Sequence, residues 1–153
     1  MTPRISFQDA TKGLWDGMFK TDMYIKRSGL NLKLVELVKY RVSQINCCAF
    51  CLDMHHKEAT NMGETELRLH SLVAWREAPY YTEEEKAVLA YAEALTYSAQ
   101  QDISDELFNN LAQFFSKAAI ADLTVAIAQI NSWNRINKAF KTIPGVYKIG
   151  QFN

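Results

Sequence analysis

Long apolar runs are missing from this chain, and so is any excess of charge of one sign. Seventeen Lys and Arg residues against seventeen Asp and Glu residues leave a formal net charge of zero, so there is no basic stripe for a phosphate backbone or an anionic bilayer surface. Nucleic acid and membrane surfaces therefore drop out of the expected partners, and small molecules and other proteins remain. The most apolar stretch, residues 118–130, is interrupted by Asp122, Thr124 and Gln129 and is shorter than the roughly 20 residues that a membrane-crossing helix needs. It reads as a buried helix. Residues 1–7 hold no continuous apolar segment, so a secretory leader is not expected. Three cysteines are an odd number and too few for a secreted disulfide scaffold, which points to a reducing cytoplasm. In that compartment a Cys-x-x-Cys pair is more often reactive or metal-bound than structural.

Helix breakers are scarce as well. Three prolines and six glycines punctuate 153 residues, and Ala, Leu, Glu, Lys and Gln fill the intervals between them. Apolar positions at three- and four-residue steps predict helices over about 7–27, 31–45, 47–62, 64–77, 82–98, 102–115 and 118–140. Ser28-Gly29 and Gly63 supply stops, Asn46 is expected to cap the third helix, and Thr82-Glu83-Glu84-Glu85 has the capping-box pattern. Alternating strand patterns, repeats and low-complexity tracts do not occur. The expected architecture is one all-α domain over residues 1–153, a bundle of about six to seven helices with its core at about 10–140, and 48% apolar residues suffice for that core.

What is present, against this sparse background, is the run Cys48-Ala49-Phe50-Cys51. On a helix, residues three apart share a face with Cβ atoms about 5–6 Å apart, close enough for a disulfide after slight adjustment. A place at a helix N-terminus favours the thiolate, because unpaired backbone N–H groups and the helix dipole stabilise negative charge there. His55 follows Cys51 by four residues, on the same stripe, and an imidazole is a suitable acceptor for a thiol proton near neutrality. Glu36, on the preceding helix, is the candidate carboxylate to orient that imidazole.

Less eventful readings of the same residues exist. A Cys-x-x-Cys pair can be two small buried hydrophobes. Zinc would need four ligands, and Cys48, Cys51 and His55 are only three, so no metal is expected. Glu36 stands among Lys33, Lys39 and Arg41, a run that in most helices is a solvated face. His56 and His70 read as surface or structural, and Cys47 as a packed or spectator thiol, although its spacing does not exclude a bridge to Cys51. Trp133-Asn134-Arg135 can line a pocket or an oligomer contact, or form a core edge, and Trp75, Tyr80 and Tyr81 can cover an interface.

The pattern of Glu36, Cys48-Ala49-Phe50-Cys51 and His55, together with residues 82–89 and 131–137, resembles the alkylhydroperoxidase D-like branch of the carboxymuconolactone decarboxylase superfamily. The resemblance spans about residues 10–140. It implies an all-helical fold assembling into homotrimers or homohexamers, and a peroxidase acting on hydrogen peroxide or organic hydroperoxides with no metal or flavin in the subunit. By position, Cys51 corresponds to the peroxidatic thiol, Cys48 to the resolving thiol, and His55 and Glu36 to the proton relay. Cys51 would become a sulfenic acid, Cys48 would condense with it, and an external dithiol, a thioredoxin-like or lipoyl protein, would reduce the disulfide. The helix-end argument instead favours Cys48 as the more acidic thiol, whereas proximity to His55 favours Cys51. Phe50 stands where some family members carry a second His. Alternative functions for the same pair are a protein disulfide reductase or electron-transfer adaptor, or a non-catalytic redox-sensing or ligand-binding module.

Overall fold

The computed structural model describes residues 2–152 and contains seven α-helices: α1 (Asp16–Arg27), α2 (Leu32–Ile45), α3 (Ala49–Asn61), α4 (Glu66–Ser71), α5 (Glu83–Thr96), α6 (Asp105–Leu111) and α7 (Lys117–Phe140). Among the described residues there is no strand, and the expected all-α class is what the chain adopts. No helix among them is long and apolar enough to cross a membrane.

Most helix boundaries follow from local chemistry. Asn31 caps α2 by accepting from the backbone N–H groups of Lys33 and Leu34, and Ser104 and Ser116 cap α6 and α7 in the same way. Thr82 and Glu85 form the reciprocal capping box that opens α5. Gly29, with φ of +89°, supplies the left-handed turn between α1 and α2 that a side chain would resist.

The fourth and sixth helices are shorter than the expected 64–77 and 102–115, the fourth giving way to a 3-10 turn at Leu72–Ala74, and two other boundaries differ in kind. The first predicted helix, 7–27, is broken: Phe7–Asp9 is a single 3-10 turn and α1 starts at Asp16, because Gly13 takes a φ of +89° between them. The third helix is not capped by Asn46. Asn46 closes α2, Cys47 adopts a left-handed φ of +50°, and Cys48, extended, is the residue that opens α3. A non-glycine residue in the left-handed region is uncommon and costs conformational energy. Here it reverses the chain sharply enough to lay α3 back against α2.

The α2 helix is the hub, packing against α3, α5 and α7. Its Leu34, Val38 and Val42 join Val88 and Ala92 of α5, Leu111 of α6, and Leu123, Ile127 and Ile130 of α7 in the main core. Each such side chain fully removed from water stabilises the fold by about 1.5–3 kcal/mol. On its other side, Leu37 packs with Ala59, Leu69, Leu72, Trp75, Tyr81 and Leu89. Trp75 and Tyr81 are thus buried within their own chain rather than free to cover an interface. Trp75 donates to Glu93 Oε1 at 2.9 Å, and Arg41 and Arg76 reach the same carboxylate. The 24-residue α7 extends about 36 Å and carries one face of the cysteine site along its second half.

Candidate active site

The left-handed turn at Cys47 decides where the three sulfurs go. Cys47 is exposed and its Sγ lies 3.6 Å from the Gln44 carbonyl, whereas Cys48 and Cys51 are each only 1% exposed. The chain therefore separates Cys47 from the buried pair, and all three thiols are free. Cys48 opens α3 and Cys51 lies in its first turn, near enough for Cys51 to donate to Cys48 when Cys48 is the thiolate.

That bond sets the acidities. The Cys48 thiol is pulled down to about 7, chiefly by the hydrogen bond from Cys51, against burial, with help from the Asn134 amide and the Lys138 ammonium. Cys51, which supplies the shared proton and is buried, is pushed up. The expectation from helix-end electrostatics, that Cys48 is the more acidic thiol, agrees with this direction.

Glu36 and His55 meet although 19 residues separate them: Glu36 Oε2 lies 2.6 Å from His55 Nδ1. Glu36 is not part of a solvated face, being 9% exposed, and His55 is 3% exposed. Burial pushes the Glu36 carboxyl up, but Lys39, 3.3 Å from Oε1, and His55 together outweigh it and bring the group down to about 2. An ionised carboxylate can only accept, so Nδ1 donates to it, and the form of the imidazole that has a single hydrogen carries its lone pair on Nε2. Nε2 is buried and has no hydrogen-bond partner among the described residues.

Cys51, His55 and Glu36 line a cavity of about 600 Å³ whose other walls are mostly apolar, including Phe19, Met23, Val35, Phe50, Met54 and Trp133. Cys48 is not among the lining residues and lies behind Cys51. The C-terminal residues 144–152 fold over α3: Gly145 N–H donates to Asp53, Lys57 donates to the Tyr147 carbonyl, and the Tyr147 hydroxyl donates to Glu58. Tyr147 and Phe152 thereby become cavity wall.

The other singled-out residues fall into place around this site. Trp133 reaches the cavity and donates to Asp22 at 3.0 Å, Asn134 is fully buried, and Arg135 is exposed and bonds Asn131 on its own helix. His56 pairs with Glu66 at the surface and His70 is 80% exposed in its side chain. From the sequence, Asn137 has no role of its own beyond its place in the 131–137 stretch, and Asn134 has only a share in the Trp133-Asn134-Arg135 segment. Asn134 accepts from Asn46 and donates to Ser43, while Asn137 donates to Cys51 Sγ at 3.6 Å and to the Trp133 carbonyl at 2.9 Å. The signal for them in the sequence is Asn131, Asn134 and Asn137 recurring every third residue along one stripe of α7. Among the described residues no group of three or more His, Cys, Asp or Glu side chains is placed to hold a metal ion.

An all-helical fold with a cysteine pair at the head of one helix and a carboxylate on its neighbour is the arrangement that the family comparison meets. The chain belongs to the carboxymuconolactone decarboxylase family, whose sequence profile matches residues 9–94. It is 41% identical to the uncharacterised protein YdfG of Bacillus subtilis, over 91% of this chain and 95% of that one. It is 32% identical to the uncharacterised protein YnjA of Escherichia coli, over 74% of this chain and 62% of the other. A crystal structure of an Agrobacterium tumefaciens protein of unknown function, suggested to be the antioxidant defence protein AhpD, superposes with a TM-score of 0.90 at 38% identity, over 95% of this chain and all of that one. Within the family, this chain is alkylhydroperoxidase D-like.

Proposed function

We propose that this protein is a thiol peroxidase that reduces organic hydroperoxides, with Cys51 as the attacking thiol and Cys48 as the resolving one. The observation that carries the reading is the position of Cys51 on the wall of a 600 Å³ apolar cavity, on the helix face that also presents the unpartnered Nε2 of His55. A cavity of that size and polarity suits an aryl or alkyl hydroperoxide far better than hydrogen peroxide.

The chemistry runs as follows. At rest the pair shares one proton, with the charge on Cys48. His55 Nε2 takes the remaining proton from Cys51, and the imidazolium that results is held by Glu36. The Cys51 thiolate attacks the terminal oxygen of R–O–OH. The S–O bond forms, the O–O bond breaks, sulfur is oxidised by two electrons, and the alkoxide RO⁻ leaves with the proton from His55 as ROH. The Cys48 thiolate then attacks the Cys51 sulfenic acid, releasing hydroxide that is protonated to water and forming the disulfide. An external dithiol restores both thiols by exchange, itself becoming a disulfide.

The rival reading, a disulfide-exchange adaptor, draws on the low pKa of Cys48, but Cys48 is 1% exposed and does not line the cavity, so exchange with an outside disulfide would have to begin at Cys51, the less acidic thiol. The deciding experiment follows cumene hydroperoxide consumption with dithiothreitol as reductant. Wild type should turn over, Cys51→Ser should not, and Cys48→Ser should stop at a Cys51 sulfenic acid that dimedone traps. Equal rates for wild type and Cys51→Ser would remove the proposal.

A further inference from the structure

A residue of the cavity wall carries a second buried polar atom without a hydrogen-bond partner among the described residues: Oδ1 of Asn137. Asn137 is 5% exposed and lines the same cavity as Cys51 and His55. A buried amide oxygen left unpaired is costly, and a group bound in the cavity that this residue lines can supply the missing donor. Its orientation is settled by its neighbours. The Trp133 carbonyl, 2.9 Å away, can only accept a hydrogen bond, so the atom facing it is the amide nitrogen. The same nitrogen reaches Cys51 Sγ at 3.6 Å. The oxygen is consequently the end of the amide left free for a donor.

We propose that Asn137 positions the hydroperoxide: its Nδ2 holds the Cys51 sulfur while its Oδ1 accepts the terminal O–H of R–O–OH, placing that oxygen for attack. This inference rests on the peroxidase reading above and names how that site tells its substrate from other electrophiles. An oxygen accepted by Oδ1 at about 2.8 Å, beside a sulfur bonded by the other end of the same amide, can lie within the 3–3.5 Å of a near-attack arrangement. The proton accounting favours an amide in this place. The terminal oxygen keeps its hydrogen throughout, first in R–O–OH and then in Cys51–S–OH. The group that holds it must accept a hydrogen bond without removing the proton, which an amide does and a base would not. The proton that does move is carried by His55 on its way from Cys51 to the alkoxide. The site therefore selects electrophiles that carry an O–H next to the bond to be broken, and a disulfide or thiosulfonate receives no such help.

The test compares two reagents at Cys51 under single-turnover conditions, with the natural Asn137 and each Asn137 variant carrying Cys48→Ser so that no resolving thiol consumes the product, and with modification read at Cys51 by peptide mass spectrometry: cumene hydroperoxide, trapped as the dimedone adduct, and methyl methanethiosulfonate, which has no O–H. Asn137→Leu removes both ends of the amide at similar volume, and the cumene hydroperoxide rate should fall about tenfold more than the thiosulfonate rate, the loss expected for one hydrogen bond. Asn137→Asp keeps an acceptor but loses the N–H to sulfur and adds a negative charge. Both rates should then fall together, their ratio staying close to that with the natural Asn137, and the pH for half-maximal thiosulfonate reaction should rise. Parallel losses in Asn137→Leu, or a ratio lost in Asn137→Asp, would overturn the assignment, and Asn137→Asp alone decides it should the leucine variant not fold. A protein with the natural Asn137 that reacts with the thiosulfonate but not with the hydroperoxide overturns the peroxidase reading and this inference with it. One that reacts with both, with an unchanged Asn137→Leu ratio, overturns only the role of Asn137.

Discussion

Glu36 Oε2 and His55 Nδ1 stand 2.6 Å apart between two packed helices, and the pair fixes which nitrogen of the imidazole is left to act as a base. With the carboxylate ionised, Nδ1 must donate, so Nε2 is the atom available to take a proton. Everything proposed for proton movement depends on that one contact.

Replacing Glu36 by Gln keeps the shape and removes the charge. The Glu36 carboxyl is lowered from its ordinary 4.5 to about 2, so its contribution to stability is fully present above about 4.5 and is lost as pH falls towards 2. That contribution is on the order of 3 kcal/mol, from the standard linkage between pKa and stability. Thermal unfolding of wild type should therefore weaken progressively between pH 4.5 and 2, while Glu36→Gln should change less over the same interval. A wild-type melting temperature that stays flat across it would contradict the buried ion pair.

His55→Asn should lower the single-turnover rate with cumene hydroperoxide by roughly 10²–10⁴-fold, the range expected when a positioned proton acceptor is removed. Because Glu36 acts through His55, the two changes should not add. The double variant Glu36→Gln/His55→Asn should react about as slowly as His55→Asn alone, since residues that work as a unit are strongly non-additive. Additive losses would place Glu36 in a separate role.

Much of this site was readable in the amino-acid order because it depends on short-range spacing. Cys48, Cys51 and His55 lie on one helix, and helical geometry puts residues three and four apart on one face. Glu36 was harder, since its lysine neighbours imitate a solvated surface. Only the packing of α3 onto α2, enforced by the left-handed Cys47, turns that face inward. The reversal itself was misread: Asn46 has the chemistry of an N-cap, but its side chain is engaged with Asn131 and Asn134 of α7, which no local rule could foresee.

The broken first helix has the same origin. The apolar spacing from Phe7 onwards suits a continuous helix, yet Phe7 and Trp15 close on each other and on Trp133 and Phe140, and the chain folds at Gly13 to let them. Long-range aromatic packing prevailed over local propensity. Asn137 escaped notice because an Asn inside a helix is usually a neutral surface residue. Its meaning depends on a sulfur 86 positions away.

Substrate size is set by the cavity rather than by the sulfurs. Met54, half-buried on α3, lines it beside Phe50. Met54→Trp should fill that space and lower kcat/KM for cumene hydroperoxide by at least about tenfold, equivalent to about 1.4 kcal/mol of lost apolar contact. The rate with hydrogen peroxide, which needs no apolar wall, should stay within about threefold. Equal losses for both substrates would mean that the cavity does not bind the organic part.

The last prediction concerns the resting charge. The main force holding the Cys48 thiol near 7 is the S–H bond from Cys51, reinforced by Asn134 and Lys138. Removing the Cys51 sulfur weakens this stabilisation, because a serine hydroxyl in its place sits on a shorter bond and donates across a longer gap, while the burial that opposes ionisation persists. In Cys51→Ser the ultraviolet thiolate absorbance should therefore titrate above the wild-type midpoint near 7, moving towards the ordinary thiol range of about 8.5. Cys48→Ser should also remove the transition near 7, since it deletes the acidic sulfur; Cys51, relieved of the neighbour that raises it most, should titrate lower than in wild type while burial still holds it up. Titration against a Cys47→Ser background isolates the pair from the exposed third thiol. If the transition near 7 survives in Cys48→Ser, the resting charge belongs to Cys51, and His55 need not deprotonate it before attack.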